Sequence, residues 1–134
     1  MAKETLQISR IYKDLDLNFT KNPVTGDVGK KTDVNAVKQA LSILINTNFY
    51  ERPFDPGKAA NLRGYLFEQM SKTIAALMVE NIKNIVSSYE PRAKIESVIV
   101  TPNFDKNEYS IALRYYVVGV SRPQILTTTL KRLR

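Results

Sequence analysis

The chain has 134 residues, of which 43% are hydrophobic and 25% charged, a composition typical of an ordered globular domain. It contains no cysteine and no histidine, which excludes disulfides, thiol nucleophiles and imidazole chemistry. Its net charge of +7 fits an acidic partner or nucleic acid, and equally a solvated basic surface. We therefore expect one domain over residues 1–134, with no cofactor and no metal ion.

The N-terminal region carries no recognisable motif. We expect residues 1–30 to be less ordered than the rest. A loose alternation of apolar residues from Ile11 to Phe19 suggests a short strand. Residues 21–31, with one proline and two glycines, indicate a loop or irregular hairpin.

No apolar run approaches the ~20 residues of a membrane span, and the first ten residues lack the apolar core of a signal peptide. We therefore expect a soluble protein without a membrane partner.

The first clear helix is predicted to begin at Thr32 or Asp33, because either side chain can cap the free amides of a first turn. Its apolar residues recur every three or four positions and form one face, namely Val34, Val37, Leu41, Leu44 and Ile45. The helix ends at residues 46–48. The connector that follows, residues 49–57, contains two prolines and must be extended or turning.

A short helix over Asn61 to Gln69 and a longer helix complete the helical part of the chain. Ser71 or Thr73 is expected to cap the longer helix. Its apolar stripe consists of Ile74, Leu77, Met78, Ile82, Ile85, Val86 and Tyr89. Pro91 removes a backbone amide and disfavours helical geometry before it, which predicts that the helix ends near Tyr89.

The C-terminal part has the period of strands. Residues 95–100 alternate, and residues 109–118 are rich in β-branched and aromatic side chains. The turn-forming residues 102–108 between them predict a hairpin. Residues 125–130, after Pro123, form a further strand. The predicted fold class is α+β, with helices packed on a small antiparallel sheet made of the C-terminal hairpin plus a further strand.

The connector segment Arg52-Pro53-Phe54-Asp55-Pro56 is chemically unusual, because two prolines stiffen an aromatic and an ion pair. A structural interpretation has Phe54 filling the core and Asp55 capping the next helix. A functional interpretation has the rigid segment displaying Arg52 to a partner. The residues alone leave both open.

The segment Tyr89-Glu90-Pro91-Arg92 is the second unusual feature. Glu90 falls at a helix C-terminus, where the partial negative charge disfavours a carboxylate by roughly 0.3–1 kcal/mol. A compensating partner is therefore expected, either from Arg92, from another basic side chain or from another chain. An internal Glu–Arg pair that ends the helix and a site held ready for a partner are both consistent with these residues.

Catalysis is the main alternative to a binding role. Two carboxyl groups about 5–9 Å apart across a cleft can cleave a glycoside, so Glu68 or Glu90 would serve a peptidoglycan-cleaving, lysozyme-like glycosidase. Their spacing places no such pair, and Glu80 is interpreted as a surface charge. We therefore assign no catalytic residue and expect no enzyme.

A basic nucleic-acid-binding module is a further alternative. The basic residues 131–134 have no interleaved aromatics, and we expect no specific nucleic acid.

Together, the unusual segments resemble the contractile-tail baseplate wedge family. This family includes the small wedge subunit that joins a phage baseplate to its sheath, and the type VI secretion counterpart TssE. The matching residues are Arg52-Pro53-Phe54-Asp55-Pro56, Leu62, Leu66-Phe67-Glu68 and Tyr89-Glu90-Pro91-Arg92. The resemblance extends from Leu41 to about Tyr116, and its most specific part is Glu-Pro-Arg at a helix-to-strand junction. Family members often have an aromatic residue and a glycine where this chain has residues 57–60, Gly-Lys-Ala-Ala.

The resemblance implies a structural role in a virion tail baseplate, assembled in the host bacterial cytoplasm. Glu90, Pro91 and Arg92, with Arg52 and Phe54, are implied to contact a helical bundle of larger wedge proteins. The C-terminal strands are implied to accept the tail sheath protein by strand addition and so to initiate sheath assembly. Arg92→Glu would then leave a folded monomer that binds the wedge proteins weakly. The name lysozyme-like, sometimes given to family members, is interpreted as a name rather than an activity.

Overall fold

The computed structural model of the chain describes residues 12–132. Its elements, in chain order, are β1 (Lys13–Leu15), β2 (Lys30–Thr32), α1 (Asp33–Asn46), a 3-10 helix (Leu62–Phe67), α2 (Lys72–Tyr89), β3 (Ala93–Asn103), β4 (Glu108–Val117) and β5 (Gln124–Lys131). The two longer helices pack on the antiparallel sheet β3-β4-β5, and β1-β2 form a separate small sheet. The predicted α+β class is confirmed. None of the helices described is both long and apolar enough to cross a bilayer.

The N-terminal hairpin is irregular, as predicted. β1 pairs antiparallel with β2, with Lys13 opposite Thr32, and one isolated bridge extends the pairing into the loop. The strand predicted up to Phe19 stops at Leu15, because the chain turns there and Phe19 adopts a φ of 52°. The Asp16 carboxylate accepts a hydrogen bond from the Asn18 amide at 3.1 Å, which lowers its pKa. Predictions for residues 1–11 lie outside the described residues.

The start of α1 lies where it was predicted, but neither predicted cap forms. Thr32 is the residue before the helix, and its side chain makes no capping hydrogen bond. Thr32 is also the last residue of β2, and the amide of Asp33 donates to the carbonyl of Tyr12 at 2.7 Å. The chain therefore passes directly from a paired strand into the helix, with Asp33 at a φ of 50°.

The hydrophobic core lies between the two helices and one face of the sheet. The central strand β4 alternates, and its buried residues are Tyr109, Ile111, Leu113, Tyr115 and Val117. They meet α1 residues that include Leu41 and Ile45. Each such fully buried side chain contributes about 1.5–3 kcal/mol relative to exposure. The opposite face of the sheet carries Ser110 and Arg114 and is exposed.

Helix α2 begins and ends as predicted. The Ile74 amide donates to the Ser71 side chain at 3.2 Å, and the helix ends at Tyr89. The predicted apolar stripe is too wide, because Leu77 is 48% exposed and Tyr89 is 36% exposed. The fully buried face is narrower and consists of Ala75, Met78, Ile82 and Val86. Leu77 instead lines a cavity together with Phe49 and Tyr65.

The sheet has the order β3-β4-β5, so β3 and β5 are both edge strands. The predicted hairpin is β3-β4, and the predicted third strand is β5. The hairpin turn is shorter than predicted, because Asn103 and Glu108 already pair with each other. The β3-β4 register shifts between Ile95 and Ser97, so Glu96 forms a β-bulge.

One buried hydroxyl provides a test of the core. The Tyr115 hydroxyl has no hydrogen-bond partner within residues 12–132, and burial raises its pKa. We expect Tyr115→Phe to leave the free energy of unfolding unchanged or to raise it by up to about 1 kcal/mol, because no hydrogen bond is lost. Tyr109→Phe is the matched control. Its hydroxyl accepts from the Ser71 amide at 3.4 Å, so a small loss is expected there in urea unfolding. A loss for Tyr115→Phe larger than for Tyr109→Phe would contradict this account.

Candidate functional site

The Glu-Pro-Arg segment forms the junction between α2 and β3. The amide of Glu90 donates to the Val86 carbonyl at 2.9 Å and completes the last helical turn. Pro91 has no amide to continue the helix. The Glu90 carbonyl then accepts from the Ala93 amide at 3.2 Å, and β3 begins. Three residues, Glu90, Pro91 and Arg92, therefore separate the helix from the strand.

Arg92 forms a bidentate salt bridge with Glu90. The Arg92 Nε donates to Glu90 Oε1 at 2.7 Å, and a second guanidinium nitrogen donates to Oε2 at 3.2 Å. Glu90 is buried, with 8% of its surface exposed, so this pair supplies the compensating partner that the helix terminus requires. Hydrogen bonding to Glu90 raises the pKa of Arg92, which therefore stays protonated.

Arg92 also connects the junction to the N-terminal hairpin. A third guanidinium nitrogen contacts Asp14 of β1 at 3.2 Å, and the guanidinium lies 5.5 Å from the centre of the Tyr12 ring. The Arg92 carbonyl accepts from the Val118 amide at 2.9 Å. The internal Glu–Arg pair is thus present, and Arg92 also holds β1 against the end of α2. Contact of these residues with a partner stays a prediction.

The connector places its aromatic residue outside the core. Phe54 is fully exposed, so the interpretation in which it fills the core is wrong. Asp55 does not cap the next helix either. Its carbonyl accepts from the Lys58 amide at 3.2 Å, and the residue before the 3-10 helix is Asn61. The two prolines keep this stretch free of helix, and it turns back to the core only at Ala59.

The two unusual segments meet at one groove. This groove, which we call the α1 groove, has a volume of about 400 Å³ and runs beside the outer face of α1. It is lined by Asp14, Leu15, Leu17, Gln39, Ala40, Ile43, Leu44, Arg52, Lys58, Tyr89, Glu90 and Arg92. Arg52 thus lies on the same surface as Glu90 and Arg92. Phe54 is not part of the lining and stands on the same connector, two residues further along.

The lining of the α1 groove combines apolar and charged side chains. Its leucine, isoleucine and alanine side chains come from α1 and from the β1 segment. Three basic side chains, Arg52, Lys58 and Arg92, outnumber the acidic Asp14 and Glu90. The Lys58 ammonium lies 5.6 Å from the centre of the Tyr89 ring. Such a surface can bury an apolar ridge while its cations meet acidic side chains at the edge.

Two residues that complete this site, Asp14 and Gln39, were not predicted from the sequence. Asp14 pairs with Arg92, which lies 78 positions further along the chain, and no local sequence pattern predicts such a pair. Gln39 fixes the N-terminal segment on α1, because its side-chain amide donates to the Leu15 carbonyl at 2.8 Å. In the sequence, Gln39 stands out only as a polar residue next to apolar residues of the same helix, such as Ala40 and Ile43.

The two carboxylates considered for catalysis lie apart. Glu90 lines the α1 groove, whereas Glu68 lines a second cavity together with Phe49 and Leu77. Glu80 is exposed and lies 4.0 Å from Lys83, as expected of a surface charge. Among residues 12–132, no three acidic side chains cluster closely enough to hold a metal ion.

Comparison of the sequence with protein families identifies the family to which this α+β domain belongs. The family described as baseplate wedge protein gp25 matches residues 31–120, which include the connector and the junction. The chain belongs to this family of structural components of contractile-tail baseplates. The resemblance inferred from the two segments is therefore confirmed.

Solved structures share the fold. A Geobacter sulfurreducens protein named as a candidate tail lysozyme has a TM-score of 0.67 at 19% identity, over 73% of this chain and 89% of that one. A chain of the anti-feeding prophage baseplate has a TM-score of 0.64 at 22% identity, over 92% and 88%. A chain of the postcontracted pyocin R2 baseplate has a TM-score of 0.52 at 15% identity, over 84% and 96%. No curated protein matches the sequence significantly.

Proposed function

We propose that the chain is a non-catalytic baseplate protein that binds the helical bundle of the wedge proteins and anchors the tail sheath. It binds the wedge proteins through the α1 groove and the adjacent connector, and it accepts the sheath protein at a free sheet edge. Assembly takes place in the bacterial cytoplasm, and the finished protein resides in the tail baseplate. The observation that carries the proposal is that Arg52, Glu90 and Arg92 line one groove.

The shape and chemistry of the α1 groove support a helical partner. Its lining brings apolar and charged side chains together, which suits an amphipathic helix laid along it. Phe54 is fully exposed beside the groove, and an exposed aromatic on a stiff connector loses little conformational freedom when it is buried by a partner. We expect Phe54 to supply much of the binding energy and the basic rim to select acidic residues on the partner helix.

The roles within Glu-Pro-Arg differ. Glu90 is nearly enclosed, and both of its carboxylate oxygens accept from Arg92, so it acts by positioning Arg92. Arg92 keeps 24% of its side chain exposed and Pro91 is exposed, so these two residues can touch a partner. The partner surface is thus made by Arg52, Phe54, Pro91 and Arg92, supported from below by Glu90.

The sheet supports the attachment of a second partner. Its edge strands carry backbone groups that β4 does not use, and such groups can pair with an extended segment of another chain. Strand addition of this kind would tie the first sheath ring to the baseplate.

A glycosidase role is disfavoured by the arrangement of the carboxylates. Both oxygens of Glu90 already accept hydrogen bonds from Arg92, and Glu68 lies in a different cavity. We expect purified protein to leave a suspension of bacterial cell walls turbid. Sustained clearing, abolished by Glu68→Gln, would overturn the non-catalytic role.

Electron microscopy of tails assembled with and without this chain tests the proposal. We expect particles that lack the chain to stop at baseplates or tubes without attached sheath, and supplied wild-type protein to restore sheathed tails. Normal, contractile, sheathed tails in the absence of the chain would refute the role.

A further inference from the structure

The outer edge of β5 presents a regular row of unused backbone groups. The amide of Arg132 donates to the carbonyl of Asn107 at 3.0 Å, and the two residues continue the register in which Lys131 lies opposite Glu108. Hydrogen-bonded and non-hydrogen-bonded pairs alternate along an antiparallel ladder. The residues whose amides and carbonyls point away from β4 are therefore Ile125, Thr127, Thr129 and Lys131. These four residues offer a continuous pairing site about 20 Å long.

The outer edge of β3 is obstructed. The bulge at Glu96 interrupts its pleat, and Pro102 has no amide to donate. Bulges, prolines and charges are the devices by which proteins block pairing at an edge strand. β5 has no proline, no glycine and no register shift, its one charged residue, Lys131, is its last, and Ile125 on it is 63% exposed. The two edges of one sheet thus differ in their ability to accept a strand.

Basic side chains flank β5 at both ends. Between β5 and α1 lies a cavity that is lined by Lys38, Lys31 and Leu126, and Lys31 is already paired with Asp16. At the other end, a cavity of about 550 Å³ is lined by Arg63 and Arg132, with apolar residues beside them. Within residues 12–132, no acidic side chain lines either cavity, and Lys38, Arg63 and Arg132 form no ion pair.

We propose that β5, and not β3, accepts the added strand, and that the accepted segment is acidic and extended. The inference rests on the proposed role in strand addition and specifies its edge and its ligand. Side chains of the added strand that face α1 would meet Lys38 at one end and Arg63 and Arg132 at the other, so aspartate or glutamate is favoured there. Side chains on the open face would lie beside Ile125, Thr127 and Thr129, where β-branched residues pack best.

Titration of isotope-labelled protein with two synthetic peptides tests the proposal by nuclear magnetic resonance. One eight-residue peptide alternates glutamate and valine, and the other alternates lysine and valine. We expect the glutamate peptide to bind at least tenfold more tightly at low salt, with the ratio falling toward one at high salt. Its binding should slow the amide exchange of Ile125, Thr127, Thr129 and Lys131 and leave the β3 amides unchanged.

Thr127→Pro isolates the backbone contribution, because it removes an outward amide and no hydrogen bond to β4. We expect it to weaken binding of the glutamate peptide at least tenfold, whereas Thr127→Val, which keeps the amide and the branched shape, should change binding less than twofold. The double variant Lys38→Glu and Arg63→Glu, at two exposed positions, provides a second test that leaves β5 intact. It should reverse the preference and favour the lysine peptide.

Protection of the β3 amides, equal binding of both peptides, or full binding by Thr127→Pro would overturn the assignment. These failures are distinguishable from failure of the proposed function. Tails that need the chain for sheath attachment, but whose attachment survives Thr127→Pro, would keep the anchoring role and refute the β5 edge. Sheathed tails formed without the chain would refute the anchoring role itself.

Discussion

Replacing Arg92 by alanine is expected to lower the free energy of unfolding by about 3–5 kcal/mol, the usual loss when one partner of a buried ion pair is removed. The reason is that the Glu90 carboxylate, with only 8% of its surface exposed, would lose both of its hydrogen-bond donors at a helix C-terminus. Such a loss is a large share of the stability of a small domain and should lower the melting temperature by roughly 10–20 °C. Thermal unfolding followed by circular dichroism measures it.

Arg114→Ala is a matched control for this prediction. Arg114 also contacts a glutamate at 2.7 Å, from the same sheet, but both side chains are more than a third exposed. Removing such a surface pair costs about 0.2–1 kcal/mol. Adding Glu90→Gln to Arg92→Ala should restore part of the lost stability, because no buried charge then remains. Equal losses for Arg92→Ala and Arg114→Ala would contradict the structural role of the Glu90–Arg92 pair.

The same geometry changes the expectation for Arg92→Glu. The sequence alone predicts that this substitution leaves a folded monomer with weakened binding. The structure places Arg92 between Glu90 and Asp14, so a third carboxylate there would face two others. We now expect Arg92→Glu to destabilise the fold at least as much as Arg92→Ala, and it therefore does not separate binding from folding.

Phe54→Ser should separate the two. Because Phe54 is fully exposed, the substitution is expected to change the free energy of unfolding by less than about 0.5 kcal/mol. Loss of a central aromatic contact typically weakens association by about 2–4 kcal/mol, or about 30- to 1,000-fold. Co-purification of the chain with the wedge proteins, together with a thermal unfolding curve, would measure both effects.

Phe67→Ser provides the comparison for Phe54→Ser. Phe67 is an equally large aromatic, 87% exposed, but it lies on the 3-10 helix and lines a different cavity. It should leave binding to the wedge proteins unchanged. If Phe54→Ser binds them as well as wild type, or if Phe67→Ser loses binding to the same extent, Phe54 has no specific role in that contact.

The elements that could be predicted from the sequence are those with a strong local signal. The period of α1 and α2 identified both helices, and Pro91 marked the end of α2 to the residue. Alternation in residues 109–118 identified the central strand. The unusual segments Arg52–Pro56 and Tyr89–Arg92 identified the family. Their order and spacing can be read from one sequence without knowledge of the structure.

Other features depend on contacts that no local pattern contains. The caps expected at Thr32 and Asp33 do not form, because these residues pair with the β1 segment. Thr32 lies opposite Lys13, and the Asp33 amide donates to the Tyr12 carbonyl. The bulge at Glu96 depends on the register with β4, and Asp14 is brought to Arg92 only by the complete fold. The exposure of Phe54 follows from the path of the connector, which its two prolines restrict without determining.

The contact between Asp14 and Arg92 also constrains when the α1 groove can exist. During synthesis, β1 leaves the ribosome 78 residues before Arg92 does, a delay of about 4–16 s at bacterial elongation rates. Until then, Gln39 can hold the N-terminal hairpin on α1, but Asp14 has no guanidinium to bind and the Arg92 side of the groove is missing. The surface proposed to meet the wedge proteins is thus completed only after the last helix has been made. Chains that stop before Arg92 would be excluded from assembly without any separate checkpoint.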